Sequence, residues 1–133
     1  MPTLTDYVVL SDSAFEIDAT PANNIPDQKV FEFTVPSDFQ QGVGQERPIL
    51  QYIVKYIDDN GSFGVWVNAT FPLKQSTRDH TISFGNSDNH EKGLWECLQG
   101  TKFPPGETIK IVFGCIKGHV RIRDVVLWYQ RKV

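Results

Sequence analysis

The sequence predicts an all-β fold: a two-sheet antiparallel sandwich of jelly-roll type with about eight strands. Short apolar or alternating runs recur every ten to fifteen residues, Pro, Gly, Asn and Asp punctuate the gaps between them, and no segment sustains a helical period. A chain of 133 residues is long enough to bury a sizeable core and too short to leave room for a second, so a single domain over 1–133 is expected.

The candidate strands are 7–10, 29–35, 49–57, 62–68, 81–84, 94–98, 108–116 and 119–130. In the second, Phe31, Phe33 and Val35 alternate with Glu32 and Thr34, and in the third Leu50, Tyr52, Val54 and Tyr56 alternate with Gln51 and Lys55, so each has one face to bury. Between the third and fourth runs lies Asp58-Asp59-Asn60-Gly61, whose Asn-Gly pair suits the positive φ of a tight hairpin, and Lys117-Gly118 repeats that signal before the last strand. In the fourth strand Phe63, Val65 and Val67 read as core, which puts Ser62, Gly64, Trp66 and Asn68 on the opposite face. The expected core contains Phe31, Phe33, Tyr52, Val54, Val65, Val67, Ile109, Ile111 and Phe113. Trp128 and Tyr129, being adjacent, cannot share a face, so one of them is core. Residues 36–48, 69–80 and 86–93 are polar and rich in turn formers, and read as surface loops.

A net charge of −3 gives no general attraction to nucleic acid or anionic membrane. The charge is uneven: residues 117–133 hold five cations against Asp124 alone, net +4, which leaves −7 for the rest. In an unbroken last strand Arg121, Arg123 and Arg131 share a face with Val125, Leu127 and Tyr129. Such an edge discourages strand pairing or docks an anionic partner. There is no run of about 20 apolar residues and no signal-like N-terminal segment, so a soluble, cytoplasmic protein is expected, with unconventional release left open. Cys97 and Cys115 are then expected to be reduced thiols.

From Val65 onward the chain resembles the second half of galactose-binding-like jelly-roll domains, which occur as carbohydrate-binding modules. The resemblance lies in Val65-Trp66-Val67-Asn68, in Phe103-Pro104-Pro105-Gly106-Glu107-Thr108-Ile109-Lys110-Ile111, and in Val120-Arg121-Ile122-Arg123-Asp124-Val125-Val126-Leu127. Phe103 stands where Leu is usual and Glu107 where Asn is usual. What it implies is the sandwich scaffold, since the matching positions are structural.

Motifs for chemistry are sparse. His80, His90 and His119 have no zinc-ligand spacing, and Asp88-Asn89-His90-Glu91 offers oxygens for Ca²⁺ without the spacing of a calcium loop, so no cofactor and no metal are expected. No nucleophile elbow surrounds Ser87, and sixteen acidic residues give no reason to choose a catalytic pair. The three tryptophans carry more information, because an indole offers a flat apolar face to the C–H side of a sugar ring. Trp66 with Asn68, flanked by Gln51, Lys55 and Arg121, is therefore the candidate ligand-binding set, against the alternative that Trp66 is covered by a loop or partner. Trp95 either lines a site at the rim or anchors its strand. The leading functional reading is a non-catalytic, lectin-like module that binds glycans. A structural or assembly subunit that oligomerises or docks on a larger complex is the alternative, and a glycan-active enzyme the third.

Overall fold

In a computed structural model of the chain, residues 3–20, 27–40, 48–67, 80–98 and 103–132 are described. They form ten strands: β1 (Thr3–Ser11), β2 (Phe15–Asp18), β3 (Gln28–Thr34), β4 (Phe39–Gln40), β5 (Ile49–Tyr56), β6 (Gly61–Val67), β7 (His80–Gly85), β8 (Lys92–Cys97), β9 (Thr108–Lys117) and β10 (His119–Lys132). All pairing is antiparallel, in a six-stranded and a four-stranded sheet, as the alternating pattern predicts. No helix among the described residues is long and apolar enough to cross a membrane.

The six-stranded sheet runs β1-β10-β5-β8, with β2 and β4 also paired to β10, and the four-stranded sheet runs β3-β9-β6-β7. Two short strands exceed the expected eight. Phe15 and Ile17 in β2 alternate with Glu16 and Asp18 over only four residues, and β4 is a two-residue pairing of Phe39 and Gln40 with β10.

Both sequence-predicted hairpins are corrected by the topology. Asn60 does take positive φ (55°) and Gly118 likewise (78°), so both turns exist. Yet β5 and β6 lie in different sheets, as do β9 and β10, so each turn is a corner that carries the chain across the sandwich. A third turn, Pro104 to Glu107, places Gly106 at φ 87° and delivers Ile109 into the core.

Between the sheets, Leu50, Tyr52, Val54 and Tyr56 of β5 meet Phe63, Val65 and Val67 of β6 and Ile109, Ile111 and Phe113 of β9. Phe113 is the hub of one aromatic group, with ring centroids 5.1 Å from Tyr52, 5.8 Å from Phe15 and 6.0 Å from Phe31. A second group stacks Phe39 on Tyr129 (5.5 Å) and on Phe103 (5.3 Å). Such pairs add roughly 0.5–1.5 kcal/mol each beyond burial of their area. Of the nine expected core residues eight are buried, and Phe31 packs on the cluster partly buried.

The face assignment of β10 is also corrected. Register slips between Arg123 and Val126, where Asp124 sits at φ 54°. This β-bulge adds one residue and inverts the alternation beyond it. Val120 and Ile122 before the bulge, and Val125, Leu127 and Tyr129 after it, are therefore all buried. Arg121 and Arg123 share the outer face instead with Val126, Trp128 and Gln130.

Candidate functional site: the outer face of the six-stranded sheet

Cross-strand register sets the side chains of this face in rows. One row joins Tyr7, Trp128, Ile49 and Cys97 across β1, β10, β5 and β8, and the next joins Val9, Val126, Gln51 and Trp95. Beyond these come Arg123, Ile53 and Gly93, and then Arg121 opposite Lys55. Since the outward residues of β5 alternate with core residues, the same pleat that builds the sandwich builds this surface.

Three aromatic rings define one end. Trp95 is 64% exposed and Tyr7 55%, a large apolar area to leave in water. Tyr7 and Trp128 lie with centroids 5.0 Å apart at a 42° tilt. The indole of Trp128 is fixed by its Nε1–H, which donates to Oε1 of Gln51 at 2.9 Å. Gln51 thus lies between the Tyr7–Trp128 pair and Trp95, which is two strand spacings, about 10 Å, from β10. Gly93, two residues before Trp95 on the same face, leaves open space where a side chain would stand.

At the other end Lys55, Glu91, Arg121 and Arg123 line a hollow of about 120 Å³. Arg123 Nε donates to Oε2 of Glu91 at 2.5 Å and its Nη1 to Asp124, and these carboxylates, Glu91 foremost, hold the guanidinium more firmly protonated than usual. Arg131 takes no part in this face: it bridges Asp38 (2.7 Å) and Asp6 (2.9 Å). Asp38 is held below the usual carboxylate range chiefly by Arg131, and Asp6 first by the Tyr7 amide and then by Arg131.

Three of the five sequence-predicted site residues, Gln51, Lys55 and Arg121, thus lie on one face. Trp66 does not join them. It belongs to the four-stranded sheet, on that sheet's outer side, and is only 4% exposed. Gly64 supplies the physical reason: a Cβ there would lie 2.3 Å from the indole, so the ring occupies the space a side chain would fill. The exposed Trp66 platform is therefore corrected, and Asn68 lies outside the described residues. On the same sheet Ser62, Phe84, Gly85, Lys117, Asn60 and Asn86 border a cleft of about 440 Å³.

What sequence reasoning missed is that Tyr7 and Trp128 join this face; Trp95 it had left between a site at the rim and an anchor for its strand. Alternation gave no clear sign for Trp95, because the inward residues on either side of it are Leu94 and the polar Glu96, and for Trp128 the bulge hid it. In the acidic turn, Asp88 pairs with Lys92 at 3.0 Å and accepts the His90 amide at 3.1 Å. Among the described residues no group of three His, Cys, Asp or Glu side chains is placed to hold a metal ion.

No family model and no curated protein matches the chain. Among solved structures, the chain is similar over 98% of its length to part of a family two carbohydrate esterase from Cellvibrio japonicus, with a TM-score of 0.38 and 10% identity. It spans 35% of that protein's length.

Proposed function

We propose that this chain is a non-catalytic carbohydrate-binding module of galactose-binding-like type, and that it binds glycans on the outer face of its six-stranded sheet. The observation that carries the reading is the exposed Trp95 ring set across Gln51 from the Tyr7–Trp128 pair. Sugar rings present an apolar C–H face and a polar rim. Indole and phenol rings pack against the first, while Gln51, Lys55 and Arg121 hydrogen-bond the second. Because Gln51 already orients Trp128, less side-chain freedom is lost on binding. The carboxylates near this face, Glu91 and Asp124, are engaged by Arg123, which fits binding better than cleavage.

A second reading, an assembly subunit, is favoured by Leu4 and Val9 of the edge strand β1, which are 58% and 49% exposed. An apolar edge of this kind suits strand addition by a second chain. A glycan array followed by titration of each hit separates the two. The module reading expects Trp95→Ala to weaken binding at least tenfold, a loss of about 1.4 kcal/mol or more. Binding of no glycan, together with an oligomer in native mass spectrometry, overturns it in favour of assembly.

A further inference from the structure

Resting on that reading of the face, we propose that its ligand is an acidic polysaccharide, whose carboxylate or sulfate groups are taken by Lys55 and Arg121 while neighbouring sugar rings pack on Trp95 and Trp128.

Lys55 and Arg121 are direct cross-strand partners, so two cations face one another on adjacent strands. Like charges in that position repel and weaken the pairing. Nearby acids relieve them only in part. Glu91 and Asp124 are bound to Arg123, and Glu16 stands directly across from Arg121 on β2 but makes its ion-pair-range contact with His119, at 3.7 Å. Among the described residues no carboxylate lies within ion-pair distance of Lys55 or Arg121. The other described arginines are paired: Arg131 holds two carboxylates and so does Arg123. A pair of facing cations without an ion-pair partner, on a chain of net charge −3, is a local feature of this surface, not a consequence of bulk composition.

Geometry makes the pair part of the aromatic face. Lys55 is four residues along β5 from Gln51, about 13 Å at the rise of an extended strand. Between them lie Ile53 and the bare position of Gly93, so on the β8 side of the face an extended chain meets open space, while Arg123 stands in the same row on β10. The hollow that the two cations line together with Arg123 and Glu91, about 120 Å³, compares with roughly 30 Å³ for one water in the liquid, enough for a carboxylate or sulfate with part of its hydration, and the Glu91 carboxylate there is held by Arg123. A guanidinium fork matches two oxygens of either group, and an ammonium supplies a second point charge. A polymer with an acidic group every few sugars uses both ends of the face, whereas a neutral glycan leaves the cations opposed.

The test is isothermal titration of the whole chain with a polyuronate, a sulfated glycosaminoglycan, a neutral galactan and single-stranded DNA. Each is measured at about 0.01 M and about 0.5 M salt, between which the screening length falls from about 30 Å to a few Å. One or both acidic polysaccharides are expected to bind at least about tenfold more tightly than the galactan at low salt, and to lose that margin at high salt. Which of the two binds identifies carboxylate or sulfate as the group recognised. The double variant Lys55→Gln/Arg121→Gln, with an unchanged melting temperature, is expected to bind acidic polymers no better than neutral ones. If the galactan binds as tightly as the acidic polymers and the double variant changes nothing, the charge assignment is overturned while the glycan-binding face stands. Tightest binding to DNA overturns it in favour of a nucleic-acid surface, and binding of no polymer overturns both readings.

Discussion

The hydroxyl of Tyr52 donates to Oε1 of Glu96 inside the sandwich, joining the central strand β5 to the edge strand β8 through a carboxyl group that is only 7% exposed. Oε2 of the same carboxyl is buried without a partner. Burial pushes the Glu96 pKa up to about 7, against a smaller lowering by the Tyr52 bond, and burial followed by the Glu96 charge pushes the Tyr52 phenol up as well.

This pair makes stability depend on pH. In the unfolded chain Glu96 titrates near its usual 4.5, and in the fold it keeps its proton to about pH 7. Folding therefore takes up a proton between those values. The stabilisation is fully present below pH 4.5 and is lost as pH rises toward 7, by on the order of 3 kcal/mol. Asp6, Asp38 and Asp88 are lowered below 3.8, so their stabilisation is lost at more acidic pH and leaves this window clear. Urea unfolding at pH 5, 6 and 7.5 is expected to show the fall in the parent chain and a nearly flat profile in Glu96→Gln. Equal slopes in the two refute the assignment.

The sandwich was legible because β5 alternates strictly and β9 begins by alternating, and a strand with one apolar face must bury it. The turns at Asn60-Gly61 and Lys117-Gly118 were legible as turns, but turn chemistry fixes φ at one or two residues and does not decide which sheet the next strand joins. The candidate site divides along the same line. Gln51, Lys55 and Arg121 follow from alternation alone, whereas bringing Tyr7 beside Trp128 needs the strand order, which pairs the first strand with the last. Trp66 lies on the outward side that alternation gave it, but its burial was not legible because it depends on the missing side chain of Gly64.

That dependence yields a second prediction. A methyl group at Gly64 would stand 2.3 Å from Trp66, and the indole is too rigid and too enclosed to give way cheaply. Gly64→Ala is expected to cost on the order of 1–3 kcal/mol in reversible unfolding, as overpacking does. The tryptophan emission should shift to the red as the ring is displaced toward water. An unchanged spectrum and stability show that the ring does not rest on Gly64.

The two cysteines should report their locations. Cys97 is exposed on the six-stranded sheet, while Cys115, in the other sheet, is 1% exposed. The Cys115 thiol contacts the Gly118 carbonyl at 3.2 Å and is pushed up by burial to about 11, so it holds almost no thiolate near neutrality. The expectation of reduced thiols thus gains a geometric ground: the residues occupy opposite layers. Alkylation without reductant should add one label to the native chain, at Cys97, and two after denaturation. A second native label, or none in denaturant until reductant is added, refutes this.

The bulge at Asp124 is the feature on which both the core and the candidate face depend. Because it inserts one residue between Arg123 and Val125, Ile122 and Val125 can both point inward. Deleting Asp124 restores strict alternation through β10. Ile122, Val125, Leu127 and Tyr129 would still turn inward, and Arg123, Val126, Trp128 and Gln130 outward, because the residue removed is the extra one. The deletion is expected to fold and to unfold cooperatively. Asp124→Gly keeps the extra residue and suits a φ of 54°, so it should fold and melt close to the parent chain. Asp124→Val also keeps the residue but puts a β-branched side chain in the left-handed region, a cost of about 1–2 kcal/mol, and should be less stable than Asp124→Gly by that amount. If Asp124→Val is as stable as Asp124→Gly, or if the deletion variant loses cooperative unfolding, Asp124 is not the one extra residue of β10, and the outward position of Trp128 falls with it.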